Sequence, residues 1–203
     1  MKKIRMTLLA AAPMVLGLAL VGCGAVGDRV GMPGMDHGRD DQSRMPSAEV
    51  SGDFNQADAM FAMMMIPHHE QAVEMSDLIL AKPGVPQEVS DLAEQIKAAQ
   101  APEIELMRSW LEDWGMDMPG AGGGMGHGDG MMSDDDMAQL EAADGAVAWR
   151  LFLEQMIEHH EGAIDMAQSE LERGVNEDAL ELAERIIQTQ TAEIATMERL
   201  LAE

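Results

Sequence analysis

Two helix-length stretches of this chain carry the same residues at a fixed offset, and that duplication limits what the chain can fold into. Phe61, Met65, Ile66, His68, His69, Glu70, Ala72 and Met75 recur as Phe152, Met156, Ile157, His159, His160, Glu161, Ala163 and Met166, 91 residues later. Downstream, Leu92, Ala93, Ile96, Gln100, Glu103, Ile104 and Met107 recur as Leu182, Ala183, Ile186, Gln190, Glu193, Ile194 and Met197 at an offset of 90, so one loop residue accounts for the slip. Within each copy the apolar residues fall at three- and four-residue steps, the period of a helix with one buried face. A hairpin of two such helices cannot bury its apolar face alone, but two hairpins packed together can. The expected fold is all-α, a four-helix bundle made of two repeated helical hairpins. Composition agrees: with 3% aromatic residues, no tyrosine and 21 methionines, the core must be built from Leu, Ile, Ala and Met, which favour helices over sheets.

Punctuation sets the boundaries. Helix one is predicted over residues 54–80, with Asp53 as its N-cap, ending before Lys82-Pro83-Gly84. Helix two follows Pro86 and runs to about Trp114. The linker at 115–132 is mostly Gly, Met, Asp and His and is expected to hold no core. Ser133 with Asp136 reads as a capping box for a short helical lead-in. Helix three then spans 144–172, Arg173-Gly174 closes it, and Asn176 caps helix four through Leu201. Pro67 removes a hydrogen bond to the Met63 carbonyl and is expected to bend helix one just before its histidines; Glu158 holds the matching place in the second copy.

The N-terminal segment reads as an address. Lys2, Lys3 and Arg5 precede an apolar run from Met6 to Val21, the order of a secretory signal, and Leu20-Val21-Gly22-Cys23 resembles a bacterial lipobox. Residues 1–22 are accordingly expected to be a lipoprotein signal peptide, Cys23 the lipidation site, and 23–52 a Gly-, Asp-, Met- and Pro-rich flexible tether to the bundle at 53–203. This places the protein outside the cytoplasm, in the cell envelope, lipid-anchored to the membrane. Cys23 is the only cysteine, so disulfides and structural thiolate sites are ruled out. Loss of residues 1–22 removes three basic residues and no acidic ones, taking the formal charge from −24 to −27. Such a surface repels phosphates, so nucleic acid is not an expected partner; most of the acids are solvated surface.

The residues that carry chemistry sit on one stripe. At about 100° per residue, Phe61, Met65, His68, Ala72 and Met75 share a helix face, with His69 on its flank. Met156, His159, Ala163 and Met166 repeat it, while Glu70 and Glu161 point away. A single histidine on an apolar face is usually a hydrogen-bonded core residue. Two His-His pairs at equivalent places, each flanked by methionines, would bury several imidazoles with few partners. Thioethers need no deprotonation and imidazole suits copper in either oxidation state, so the combination favours copper, particularly Cu(I). A ferritin-type di-iron centre would need Glu three residues before each histidine. Glu103 and Glu193 would serve as its lone carboxylates, but Met65 and Met156 stand where those glutamates are required. Met107 and Met197 read as core filler. In the loops, Met32, Met35, His37, Met125, His127, Met131 and Met132 have no expected core to pack into and read as a flexible metal-capturing arm.

At this point a family resemblance becomes specific. The stretches "MMIPHHEQAVEM" and "MIEHHEGAIDMA", each followed by a helix with "Q..EI..M", resemble the domain of unknown function 305 family over residues 53–203. The resemblance implies a ferritin-like bundle with an envelope copper-handling role, with Met65, His68, His69, Met75, Met156, His159, His160 and Met166 at the motif positions. The expectation is thus a copper-binding protein that sequesters or transfers Cu(I) without catalytic turnover, exchanging the ion with a donor or acceptor protein. Two alternatives are a metal-dependent oxidase, marked by metal-dependent oxygen consumption, and a metal-free helical scaffold whose role would survive loss of all four paired histidines. The hairpins could close on themselves or, through an exposed apolar face, form a homodimer.

Overall fold

A computed structural model describes residues 53–116 and 130–203, and all of the described regular structure is helical. Five helices follow one another: α1 (Gln56–Leu80), α2 (Gln87–Asp113), α3 (Asp134–Ala142), α4 (Gly145–Arg173) and α5 (Glu177–Leu201). The signal segment, Cys23, the tether and the loop residues Met32, Met35, His37, Met125 and His127 lie outside the described residues.

Local chemistry explains most boundaries. α1 is capped by Asn55, not by Asp53 as expected. The extended Asn55 backbone (φ −128°, ψ −174°) lets its side chain accept from the amides of Ala57 and Asp58, while Asp58 takes the Asn55 amide in return. Asp53 lies two residues too early for that geometry and is exposed. Ser133 and Asp136 form the expected capping box of α3, and Asp144 and Asn176 cap α4 and α5. α1 continues through Pro67, and α2 likewise contains Pro102.

α1 packs mainly against α2, α4 mainly against α5, and the two pairs meet along α1 and α4; α3 leans on α1 and α4. The core falls into two apolar clusters. One joins the C-terminal half of α1 to the N-terminal half of α4 through Met75, Ile79, Ala148, Phe152 and Met156; Leu92, Ile96 and Met197 add to it from α2 and α5. The other joins the opposite halves through Phe61, Met65, Ile66, Ala163 and Ala167, with Ile104, Met107, Leu182 and Ile186. In every long helix the gap between clusters falls on polar residues: His68 and His69, Gln100 and Glu103, His159 and His160, Gln190 and Glu193.

One loop assignment needs correction. Met132 was expected in a linker without a core, as part of a metal-capturing arm, yet it is 5% exposed and belongs to the first cluster. Its backbone is clamped by Gln71, whose amide nitrogen donates to the Met132 carbonyl at 2.9 Å while its oxygen accepts the Met132 amide at 2.7 Å. The chain folds back into the bundle before α3 begins, and burial of the thioether follows. Met131 beside it is half-buried.

Candidate metal centre

All four paired histidines are buried: His68 is 1% exposed and His69, His159 and His160 are 0%. The Pro67-His68-His69 and Glu158-His159-His160 turns put one histidine of each pair towards the opposite hairpin and the other towards its own second helix. Thus the rings of His68 and His159 meet across the α1–α4 seam, with centroids 3.7 Å apart and planes tilted by 41°. His69 and His160 turn the other way. His69 Nε2 lies 2.8 Å from Glu103 Oε2 on α2, and His160 Nε2 lies 2.7 Å from Glu193 Oε2 on α5.

These two carboxylates fix the tautomer. An ionised carboxylate only accepts hydrogen bonds, so Nε2 carries the proton and donates to it, leaving Nδ1 with a lone pair. Nδ1 of both His69 and His160 is buried without a hydrogen-bond partner. A carboxylate holding one ring nitrogen so that the other faces a metal is the usual outer-shell support of metal-binding histidines. In the sequence Glu103 and Glu193 were legible as repeated acids and as the lone carboxylates of the di-iron alternative, not as partners of His69 and His160. Their role depends on the α1–α2 and α4–α5 registers, which the sequence reading did not resolve.

Neither ring nitrogen of His159 meets a partner in good hydrogen-bond geometry. Burial, and then the neighbouring His68, His160 and His69, hold its pKa well below 6.5, against a smaller upward pull from a weak interaction with the His68 backbone. The ring is neutral at physiological pH, with a lone pair already available, so a metal need not displace a proton there. Gln100 and Gln190 extend the polar layer: both amide atoms of Gln100 and the Gln190 oxygen are buried and unpartnered. Each such group costs about 1–3 kcal/mol of desolvation. The layer is thus a locally unfavourable set of donors that a bound ion would relieve.

The methionines divide between sites. Met65 and Met156 are fully buried, one in each apolar cluster, three residues before His68 and His159. Met75 is buried in the first cluster, whereas Met166, its equivalent, is only half-buried and lines a surface groove. Among the described residues no three His, Cys, Asp or Glu side chains converge closely enough to hold a metal ion together, the four paired histidines included. What remains is a pair of imidazoles, His68 and His159, which with a thioether suits a soft ion of low coordination number better than iron or calcium. Glu70 and Glu161 are exposed, as read from the sequence; Glu70 pairs with Arg108.

Comparison with known proteins now adds its own information. The family model described as "Domain of unknown function (DUF305)" matches residues 58–201. The chain belongs to the DUF305 family. A DUF305 structure from Streptomyces coelicolor, described as a candidate secreted protein, shares 36% identity at TM-score 0.66, covering 72% of this chain and 91% of that one. A DUF305 fragment from Deinococcus radiodurans shares 30% at TM-score 0.67, over 73% and 97%. CopM, in its Cu(II)-bound form, shares 32% at TM-score 0.62, over 71% and 95%. CopM structures in Cu(I)- and Ag-bound forms also match, at TM-scores of 0.60 and 0.58. No curated protein matches the chain.

Proposed function

We propose that this DUF305 chain is an envelope copper-binding protein that holds and passes on Cu(I) through the buried histidine layer. The single observation that carries the reading is the close His68–His159 pair, set between His69 and His160 whose Nδ1 atoms are unpartnered and whose Nε2 atoms are held by glutamates. The CopM structures with Cu(I), Cu(II) and Ag support it, because they share this fold and hold soft or borderline ions. In this reading His68 and His159 are the central ligands, His69 and His160 flank them, and Met65 and Met156 supply thioethers from either side. No turnover is assigned: the cargo is the ion itself, taken from a donor and delivered to an acceptor protein. Location outside the cytoplasm is supported by the candidate secreted relative and by the signal-like N-terminus, and Cys23 is the proposed lipid anchor.

The test is Cu(I) titration of the full chain against a chromophoric chelator, beside a variant with His68, His69, His159 and His160 all changed to Ala. Loss of the tightest binding in the variant is the expected result; unchanged binding would move the function out of the bundle. A second prediction concerns the carboxylates. Glu103→Gln or Glu193→Gln removes the charge that fixes the histidine tautomer, and each is expected to weaken Cu(I) binding by about 10–100-fold, the usual cost of losing an outer-shell partner. Affinities within twofold of the wild type would mean that these pairs are structural only.

A further inference from the structure

The short helix α3 breaks the symmetry of the bundle. Beside the C-terminal half of α1 and the N-terminal half of α4, α3 and the turn before it cover the core. Leu140 and Met132 are buried there, Gln155 Nε2 donates to the Asp136 carbonyl at 3.1 Å, and Lys82 Nζ donates to the carbonyls of Glu141 and Ala143, both at 2.8 Å. The symmetry-related seam, between the N-terminal half of α1 and the C-terminal half of α4, opens instead as a groove of about 570 Å³. Met60 and Met64 line it from α1, and Met166 from α4.

The matching positions show what distinguishes the open side. Under α3, the equivalents of Met60, Met64 and Met166 are Leu151, Gln155 and Met75. Met75 is fully buried and Gln155 is bound to the α3 backbone. On the open side all three places are methionine, and Met60 is 39% exposed. Met166 packs in part against the second cluster, but an exposed methionine such as Met60 gains little from packing and is prone to oxidation, so packing does not account for the choice there. Met60 and Met64 stand at i, i+4 on one face of α1, and Met166 lines the same groove from α4. Three uncharged thioethers make a donor set that selects Cu(I) or Ag(I) over hard cations. Asp165 and Arg173, both on the rim of the groove, bring opposite charges, so selection there falls to the thioethers. Met64 is one helical turn, about 6 Å of axis, from His68.

We infer that Met60, Met64 and Met166 form a second site for a soft monovalent cation, an all-thioether port at the surface from which the ion reaches the histidine layer. The inference rests on the copper reading for the identity of the ion in the cell, but its test does not. Ag(I) is added to the full chain labelled with ¹³C at methionine methyls, and each resonance is assigned by a single Met→Leu substitution, which conserves volume. The same titration is run on the four-histidine alanine variant. The methyls of Met60, Met64 and Met166 are expected to shift together with one midpoint in both proteins, and that joint shift is expected to be lost on Met64→Leu. The inference is overturned if these three methyls stay still, if they move with separate midpoints, or if they respond only when the histidines are present. A joint shift with no binding at the histidine layer would uphold the port and sink the buried copper site.

Discussion

A Gly145→Ala protein is expected to lose about 3 kcal/mol of stability, at the upper end of ordinary overpacking, and roughly 10 °C of melting temperature for a domain of this size. The residue opens α4, immediately after its cap Asp144. Intrinsic helix propensity alone would make alanine the better residue there, by up to about 1 kcal/mol. Tertiary packing reverses the sign. A Cβ on Gly145 would run into the backbone carbonyl of Pro83, in the turn between α1 and α2. Backbone cannot step aside as the end of a flexible side chain can, so α4 would have to move relative to the α1–α2 pair. Lys82 beside that turn already ties it to α3 through the Glu141 and Ala143 carbonyls, which leaves little room to adjust. Gly115→Ala is the control: Gly115 adopts a left-handed φ of 67° with nothing within 4 Å of its would-be Cβ. It should cost only the conformational penalty, about 1–2 kcal/mol. Thermal unfolding followed by circular dichroism measures both, and a Gly145→Ala protein melting within two degrees of the wild type would show that the hairpins are not locked at this contact.

The repeat made most of the fold legible before any coordinates. Fixed offsets of 91 and 90 defined two hairpins, and the caps at Ser133, Asp144 and Asn176 needed only local chemistry. Asp53 failed as a cap because two competent residues, Asp53 and Asn55, precede the same helix; only the reciprocal bond from Asp58 selects between them. The four histidines were legible from their periodicity. What each one faces was not, because helical phase places a residue on a face but does not say which neighbour meets it there. That is why the Glu103 and Glu193 partners emerged only with the helix registers. Met132 was misplaced for a related reason: a Gly- and Met-rich composition marks a linker, but the residue at its end can be the first to re-enter the core. The half-buried Met166 shows the limit of the repeat itself. It matches Met75 in sequence, yet α3 covers one copy and leaves the other open.

Between pH 5 and 9 the wild-type protein is expected to lose stability relative to a Glu170→Gln variant. Glu170 is 2% exposed and stands against Asp58, which is also buried. Burial, with the Asp58 charge and hydrogen bond, raises the Glu170 pKa to about 8. Burial also pushes Asp58 upwards, but the hydrogen bond with Glu170 and those from the amides of Asn176, Asn55 and Val175 outweigh it and hold Asp58 below 3.8. Glu170 therefore holds a proton beside the ionised Asp58, although neither of its buried carboxyl oxygens meets a partner in good hydrogen-bond geometry, while Asp58 Oδ1 accepts both the Val175 and Asn176 amides at 2.9 Å. This knot ties the start of α1 to the α4–α5 turn. A carboxyl whose folded pKa is raised contributes stability that is complete below its unfolded value, near 4.5, and disappears as pH climbs through 8. The slope approaches about 1.4 kcal/mol per pH unit where the native state alone holds the proton. Asp58 has the opposite sign, but its contribution is complete above 3.8 and drops out of this window. Gln at 170 keeps an N–H donor at every pH, so the variant should match the wild type within about 1 kcal/mol near pH 5 and exceed it by more at pH 9. Urea unfolding of both proteins at pH 5, 7 and 9 reads the difference directly. Subtraction also cancels the contribution of His159, which is held neutral in the fold and whose effect runs the other way, below 6.5. Parallel stability curves would mean that Glu170 ionises freely and that burial beside Asp58 does not hold its proton to about pH 8.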